Sequence, residues 1–70
     1  MDFNQKVGTN LKEWREEFTL SQRGLSAKTG ISQGMISRWE RGENLPSIRD
    51  LVTLADFYGI TLDELIGRKI

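Results

Sequence analysis

The chain contains no cysteine and no histidine. Without cysteine no disulfide staples the fold, and a reducing compartment is permitted. Without histidine a metal site would have to be built from carboxylates, and imidazole acid–base chemistry is excluded. No stretch approaches the ~18 consecutive apolar residues that suggest a membrane span. The opening MDFNQKVGTN lacks the apolar run and cleavage pattern of a signal peptide, so the expected location is the cytoplasm. Neither sign of charge is in excess, with ten basic and ten acidic residues. That counts against a non-specific nucleic-acid binder, which is normally basic overall. The 70 residues suffice for one small domain, 1–70, and no nucleophile–base pair is evident. An enzyme is therefore not expected, nor is a cofactor or metal.

What is present is a series of helix punctuation marks. Ser21, Ser32, Ser47 and Thr61 stand where an N-cap oxygen would satisfy a free backbone N–H. Leu20 with Leu25, Ile31 with Ile36, and Ile60 with Leu65 have the spacing of hydrophobic staples, and Thr61 with Glu64 that of a capping box. Gly30, Gly42, Gly59 and Gly67 fall where left-handed residues end helices. These signals predict an all-α fold of five helices, at about 4–17, 22–29, 33–41, 48–58 and 62–66, with no strand. Phe3, Val7, Leu11, Trp14 and Phe18 lie within ~80° on the first helical wheel and form its expected core stripe. In the fourth helix Ile48, Leu51, Val52, Leu54, Ala55 and Tyr58 are the expected apolar support.

The stretch Leu20 to Gly42 narrows the function. Ser21, Gly30 and Ser32 leave about two turns of helix and a tight join, which forces a steep crossing as in a helix-turn-helix. On the following helix Gln33, Ser37, Arg41, Gly34 and Arg38 fall at about 0, 40, 80, 100 and 140°, whereas Met35, Trp39 and Ile36 fall at about 200, 240 and 300°. Amphipathicity alone would fit any surface helix. The polar face, however, carries a Gln, a Ser and two Arg rather than a Glu/Lys mixture. Gln can bond adenine and Arg guanine through two atoms each in the major groove. Charge is also segregated. Residues 21–42 hold Arg23, Lys28, Arg38 and Arg41 against Glu40, whereas residues 50–64 hold Asp50, Asp56, Asp63 and Glu64 with no base. Such a chain can turn a positive face to phosphates.

The ordered set LSQ at 20–22, Leu25-Ser26, GISQ at 30–33, ISRWERG at 36–42, Pro46-Ser47, Leu54-Ala55 and YGITLDEL at 58–65 resembles the Cro/cI-type, or XRE, helix-turn-helix repressors over roughly residues 5–66. The resemblance implies a compact lambda-repressor-like domain that regulates transcription, as a repressor, by reading double-stranded DNA with helix 33–41. It implies base contacts from Gln33, Gly34, Ser37 and Arg38. It implies phosphate or backbone contacts from Gln22, Ser32, Arg41, Asn44 and Ser47. It also implies an ion pair between Arg15 and Glu40 that ties the first helix to the recognition helix. Each role has a plainer alternative: Gln22 as a helix starter, Ser32 as a cap alone, Arg41 as a cation at a helix end.

Three residues depart from the pattern. Gly24 and Gly34 sit inside helices, where each costs ~1 kcal/mol relative to Ala; Gly24 has no explanation in sequence terms. Ser26, where the family commonly has Ala, is expected to bond back to the carbonyl four residues earlier. A reader of this size normally works as a homodimer on a palindromic operator. Phe57, Leu62, Ile66 and Ile70, left over from the core, place the expected two-fold contact toward the C-terminus. The alternatives are a helical protein-interaction module without DNA binding, and a regulator of the antitoxin or restriction–modification controller type.

Overall fold

The computed structural model describes residues 2–68 and contains, among them, five helices and no strand. They are α1 (Phe3–Glu17), α2 (Gln22–Thr29), α3 (Gln33–Glu40), α4 (Ile48–Tyr58) and α5 (Leu62–Ile66). The expected caps hold. The Ser21, Ser32, Ser47 and Thr61 side chains accept the N–H groups of Gly24, Met35, Asp50 and Glu64. Gly30, Gly42, Gly59 and Gly67 all have positive φ. α1 starts one residue earlier than expected, because Asp2 and Gln5 form a further capping box. α3 ends at Glu40, with Arg41 as its C-cap.

The core is formed by Val7 and Leu11 of α1, Leu25 of α2, Ile31, Ile36 and Trp39 around α3, Leu54, Ala55 and Tyr58 of α4, and Leu65 of α5. α1 packs on α3 and α5, α2 on α3 and α4, and α4 on α5. Leu65 is fully buried and anchors a five-residue helix that is far too short to stand alone in water. Side chains of α1 finish the job: Asn10 Nδ2 donates to the Ile66 carbonyl at 2.9 Å and Trp14 Nε1 to the Glu64 carbonyl at 3.0 Å. The Ile66 carbonyl is one that a helix C-terminus leaves unpaired, and the Glu64 carbonyl also accepts the Gly67 N–H at 3.3 Å.

Four expected core residues are not in the core. Phe3 and Phe18, at the two ends of the α1 stripe, are 61% and 42% exposed, and Ile48 and Val52 of α4 are 71% and 41% exposed. Periodicity gives the face correctly for Phe3 and Phe18, but at the helix ends the cover is only partial: Phe18 packs one side on Phe57 and Tyr58, and Phe3 lines an open groove with Leu45 and Ile48. Ile48 and Val52 lie beyond the edge of the α4 core stripe. The leftover apolar group is also divided. Phe57 packs on Phe18 and Tyr58, with ring centroids 6.2 and 5.2 Å apart. Ile66 is partly buried against the core, Leu62 is exposed, and Ile70 lies outside the described residues.

Candidate nucleic-acid interface

The orientation of α3 is set from its buried side. Glu40, in its last turn, takes three donors from two other helices. Arg15 Nε donates to Oε2 at 2.7 Å, Arg15 NH2 to Oε1 at 2.9 Å, and Gln22 Nε2 to Oε1 at 3.0 Å. Arg15 NH1 also donates to the Leu20 carbonyl at 2.7 Å, so one guanidinium ties α1, the start of α2 and the end of α3. The Arg15 and Glu40 side chains are 10% and 5% exposed. The hydrogen-bonded Glu40 carboxylate raises the Arg15 pKa, against the opposing effect of burial. A buried pair of this kind is fully hydrogen-bonded or very costly. Its geometry here is bidentate, which fixes direction as well as distance.

A second constraint on α3 has no side chain. Gly8 is buried in α1, and a Cβ there would lie 2.2 Å from the Trp39 carbonyl oxygen and 3.1 Å from that of Glu40. The two helices thus meet backbone to backbone just where Glu40 is held. A glycine inside an amphipathic helix is the signal that could have revealed this contact.

With α3 held in this way, Gln33, Gly34 and Arg38 are exposed and Ser37 is half-buried, while Ile36 and Trp39 face the core. Nothing in the protein lies within 4 Å of the position a Gly34 Cβ would take. Arg41 does not stand free. Its guanidinium donates to Ser37 Oγ and to the Glu43 carboxylate, which raises the Arg41 pKa and lowers that of Glu43. Glu43, one residue past Gly42, lies beyond the end of α3, where helical period carries no signal. It places an acid beside the basic end of the polar face, where a phosphate would compete with it for Arg41.

The remaining residues of the set flank this face. Ser32 and Ser47 are both engaged as caps; Ser47 Oγ also donates to Asp50 Oδ2 at 3.1 Å. Gln22 serves as a brace, through Glu40. Asn44 is half-buried, and its Oδ1 is buried with no hydrogen-bond partner. Ser26 makes no bond back along its helix. Thr29 does so instead, through Oγ1 to the Leu25 carbonyl at 2.8 Å. Ser26 is half-exposed, so water can satisfy its hydroxyl. Gly24 gains a partial account: its N–H is the one capped by Ser21, and a Cβ would come 3.2 Å from that hydroxyl. Among the described residues no cluster suited to a metal ion occurs, and no helix is long and apolar enough to cross a membrane.

Comparison with known proteins agrees with this architecture. The BldD DNA-binding domain of S. venezulae superposes with a TM-score of 0.82 at 28% identity, covering 93% of this chain and 97% of that one. The HTH-type transcriptional activator BcrR of Enterococcus faecalis is 33% identical over 67 residues, 96% of this chain and 31% of BcrR. The cryptic phage CTXphi transcriptional repressor RstR of Vibrio cholerae is 35% identical over 63 residues, 90% of this chain and 56% of RstR. The chain thus spans about a third of one of these relatives and just over half of the other. A model of the helix-turn-helix family matches residues 11–65, which include α2, α3 and the Arg15–Glu40 pair, and the chain therefore belongs to the Cro/cI-type (XRE) helix-turn-helix family.

Proposed function

We propose that this chain is a single DNA-binding domain of a transcriptional regulator, a repressor without enzymatic activity, acting in the cytoplasm. The observation that carries this reading is the locking of α3 by Arg15, Gln22 and the Gly8 contact. It leaves a polar face on which Gln33, Gly34 and Arg38 are exposed and Ser37 is half-buried beside Arg41. That face has the donors and the open approach needed to read base edges in the major groove. Gln22, Ser32, Arg41, Asn44 and Ser47 then lie along the phosphates. Two copies on a palindromic operator would supply the specificity that one face cannot.

Selection from a random duplex library tests this. An inverted repeat should be enriched, and Ser37→Ala/Arg38→Ala should fold normally yet lose specific binding. Undiminished affinity in that variant would remove the groove assignment. No enrichment from folded, artificially dimerised protein would favour a protein-interaction module. The antitoxin and restriction–modification controller types share this DNA-reading geometry and would differ in the operator recovered.

A further inference from the structure

We infer that Glu43 is a positioning residue for base reading: it holds Arg41 against Ser37, which leaves Ser37 a donor and fits it to an acceptor on the base edge. This rests on the groove reading above and deepens it, from which side chains read to what one of them reads. A serine hydroxyl both donates and accepts, so serine alone does not choose among bases. Here its accepting side is engaged. Arg41 NH1 donates to Ser37 Oγ, and Arg41 Nε donates to the Glu43 carboxylate. Its proton is not spent on the helix. Thr29 and Thr53 donate to the carbonyl four residues earlier, and Ser37 makes no such bond. The guanidinium also sets a positive charge beside Oγ, which repels the amino hydrogens of cytosine N4 and adenine N6. Guanine O6 and N7, thymine O4 and adenine N7 remain as partners.

The backbone fixes the carboxylate that does the holding. Gly42 and Glu43 close α3 as a Schellman motif, with the Gly42 N–H on the Trp39 carbonyl at 3.0 Å and the Glu43 N–H on the Arg38 carbonyl at 2.9 Å. A Cβ on Gly42 would lie 3.1 Å from Gln5 Cα, so this turn is seated on α1. Arg41 stands one helical turn after Ser37, within reach of it. Glu43 without Arg41 would be unfavourable twice over, beside the negative end of the helix dipole and beside a face that meets phosphates. A guanidinium has five N–H groups, so three remain for a phosphate while Ser37 and Glu43 are held.

The test compares operators selected from a random duplex library by the unaltered chain, Ser37→Ala, Glu43→Ala and Arg41→Lys. The position at which Ser37→Ala loses its preference identifies the base beneath Ser37. The unaltered chain should disfavour cytosine there by roughly fivefold, about one hydrogen bond. Glu43→Ala and Arg41→Lys should flatten that position and leave the others unchanged, with an unaltered midpoint in urea. A folding defect would weaken every position together. Cytosine favoured beneath Ser37, a preference that survives Glu43→Ala, or a Ser37→Ala variant with no position-specific loss would each overturn the inference. No operator enriched by the unaltered chain would remove the groove reading itself, and this inference with it.

Discussion

Gly8 of α1 rests on the backbone of α3, where a Cβ would lie 2.2 Å from the Trp39 carbonyl oxygen. In a free helix, alanine would be favoured over glycine by ~1 kcal/mol. Here the added methyl meets backbone, which yields only if α3 moves. Overpacking of this kind costs roughly 1–3 kcal/mol or more. Gly8→Ala should therefore lower stability in urea titration and, by displacing α3, weaken DNA binding. An increase in stability would show that the helices are not in backbone contact.

This contact marks the boundary of what was legible in the sequence. Helix starts and stops depend on neighbours a few residues away, so Ser21, Ser32, Ser47, Thr61 and the four glycines with positive φ could be placed in advance. The face of α3 followed from its period. Whether a face is covered depends on remote chain, which is why hydrophobic spacing alone assigns Phe3, Phe18, Ile48 and Val52 to a core that leaves them exposed. The Arg15–Glu40 pair was legible only through family resemblance, since 25 residues separate the two. Gln22 bracing Glu40 is a contact across 18 residues that no local pattern signals, and Glu43 beside Arg41 lies past the end of α3, where helical period says nothing.

Glu40→Ala should be among the costlier changes. It leaves the Arg15 guanidinium buried with only the Leu20 carbonyl, and Gln22 without its acceptor. Breaking one side of a buried pair costs ~3–5 kcal/mol, whereas replacing both by apolar residues is often near neutral. Arg15→Met/Glu40→Leu should recover most of the lost stability but not the DNA affinity, because α3 loses its directional restraint. A double-mutant cycle measures the coupling. Single changes costing under about 1 kcal/mol would mean the pair is effectively solvated.

Thr19 is the one described non-glycine residue with positive φ, at 58°. It ends α1 with its N–H on the Glu16 carbonyl and that of Leu20 on the Arg15 carbonyl, a Schellman closure that ordinarily uses glycine. For an L-residue the left-handed conformation costs ~1–2 kcal/mol, more than glycine's extra entropy in the unfolded chain. Thr19→Gly should raise the midpoint of thermal unfolding. A lowered midpoint would mean that the threonine side chain contributes something the backbone does not reveal.

Tyr58 connects stability to alkaline pH. Burial disfavours the phenolate and pushes its pKa up to about 12, from an ordinary value of 10.0. The folded state thus holds this proton after the unfolded state has released it. The contribution is complete below pH 10 and is lost as pH rises toward 12. Tyr58→Phe should flatten that part of the stability profile. Its cost at neutral pH should be small, since the hydroxyl is buried without a partner and its removal leaves no orphan. An unchanged alkaline slope in the variant would assign the loss to other groups.

Gly34 separates folding from recognition. It is exposed inside α3, and a Cβ there would meet nothing within 4 Å. The free protein has no use for a glycine at this position, and alanine should stabilise it by up to ~1 kcal/mol. On the proposed interface the same methyl points toward the groove, between Gln33 and the Ser37–Arg38 pair. Gly34→Ala should then fold more tightly and bind its selected operator less well, two effects that a simple folding defect cannot produce together. Stability and affinity are measured on one preparation, by urea titration and by fluorescence anisotropy. Affinity that holds or rises with stability would mean that no base edge passes close to position 34, and the face would have to be rotated toward Arg38 and Arg41.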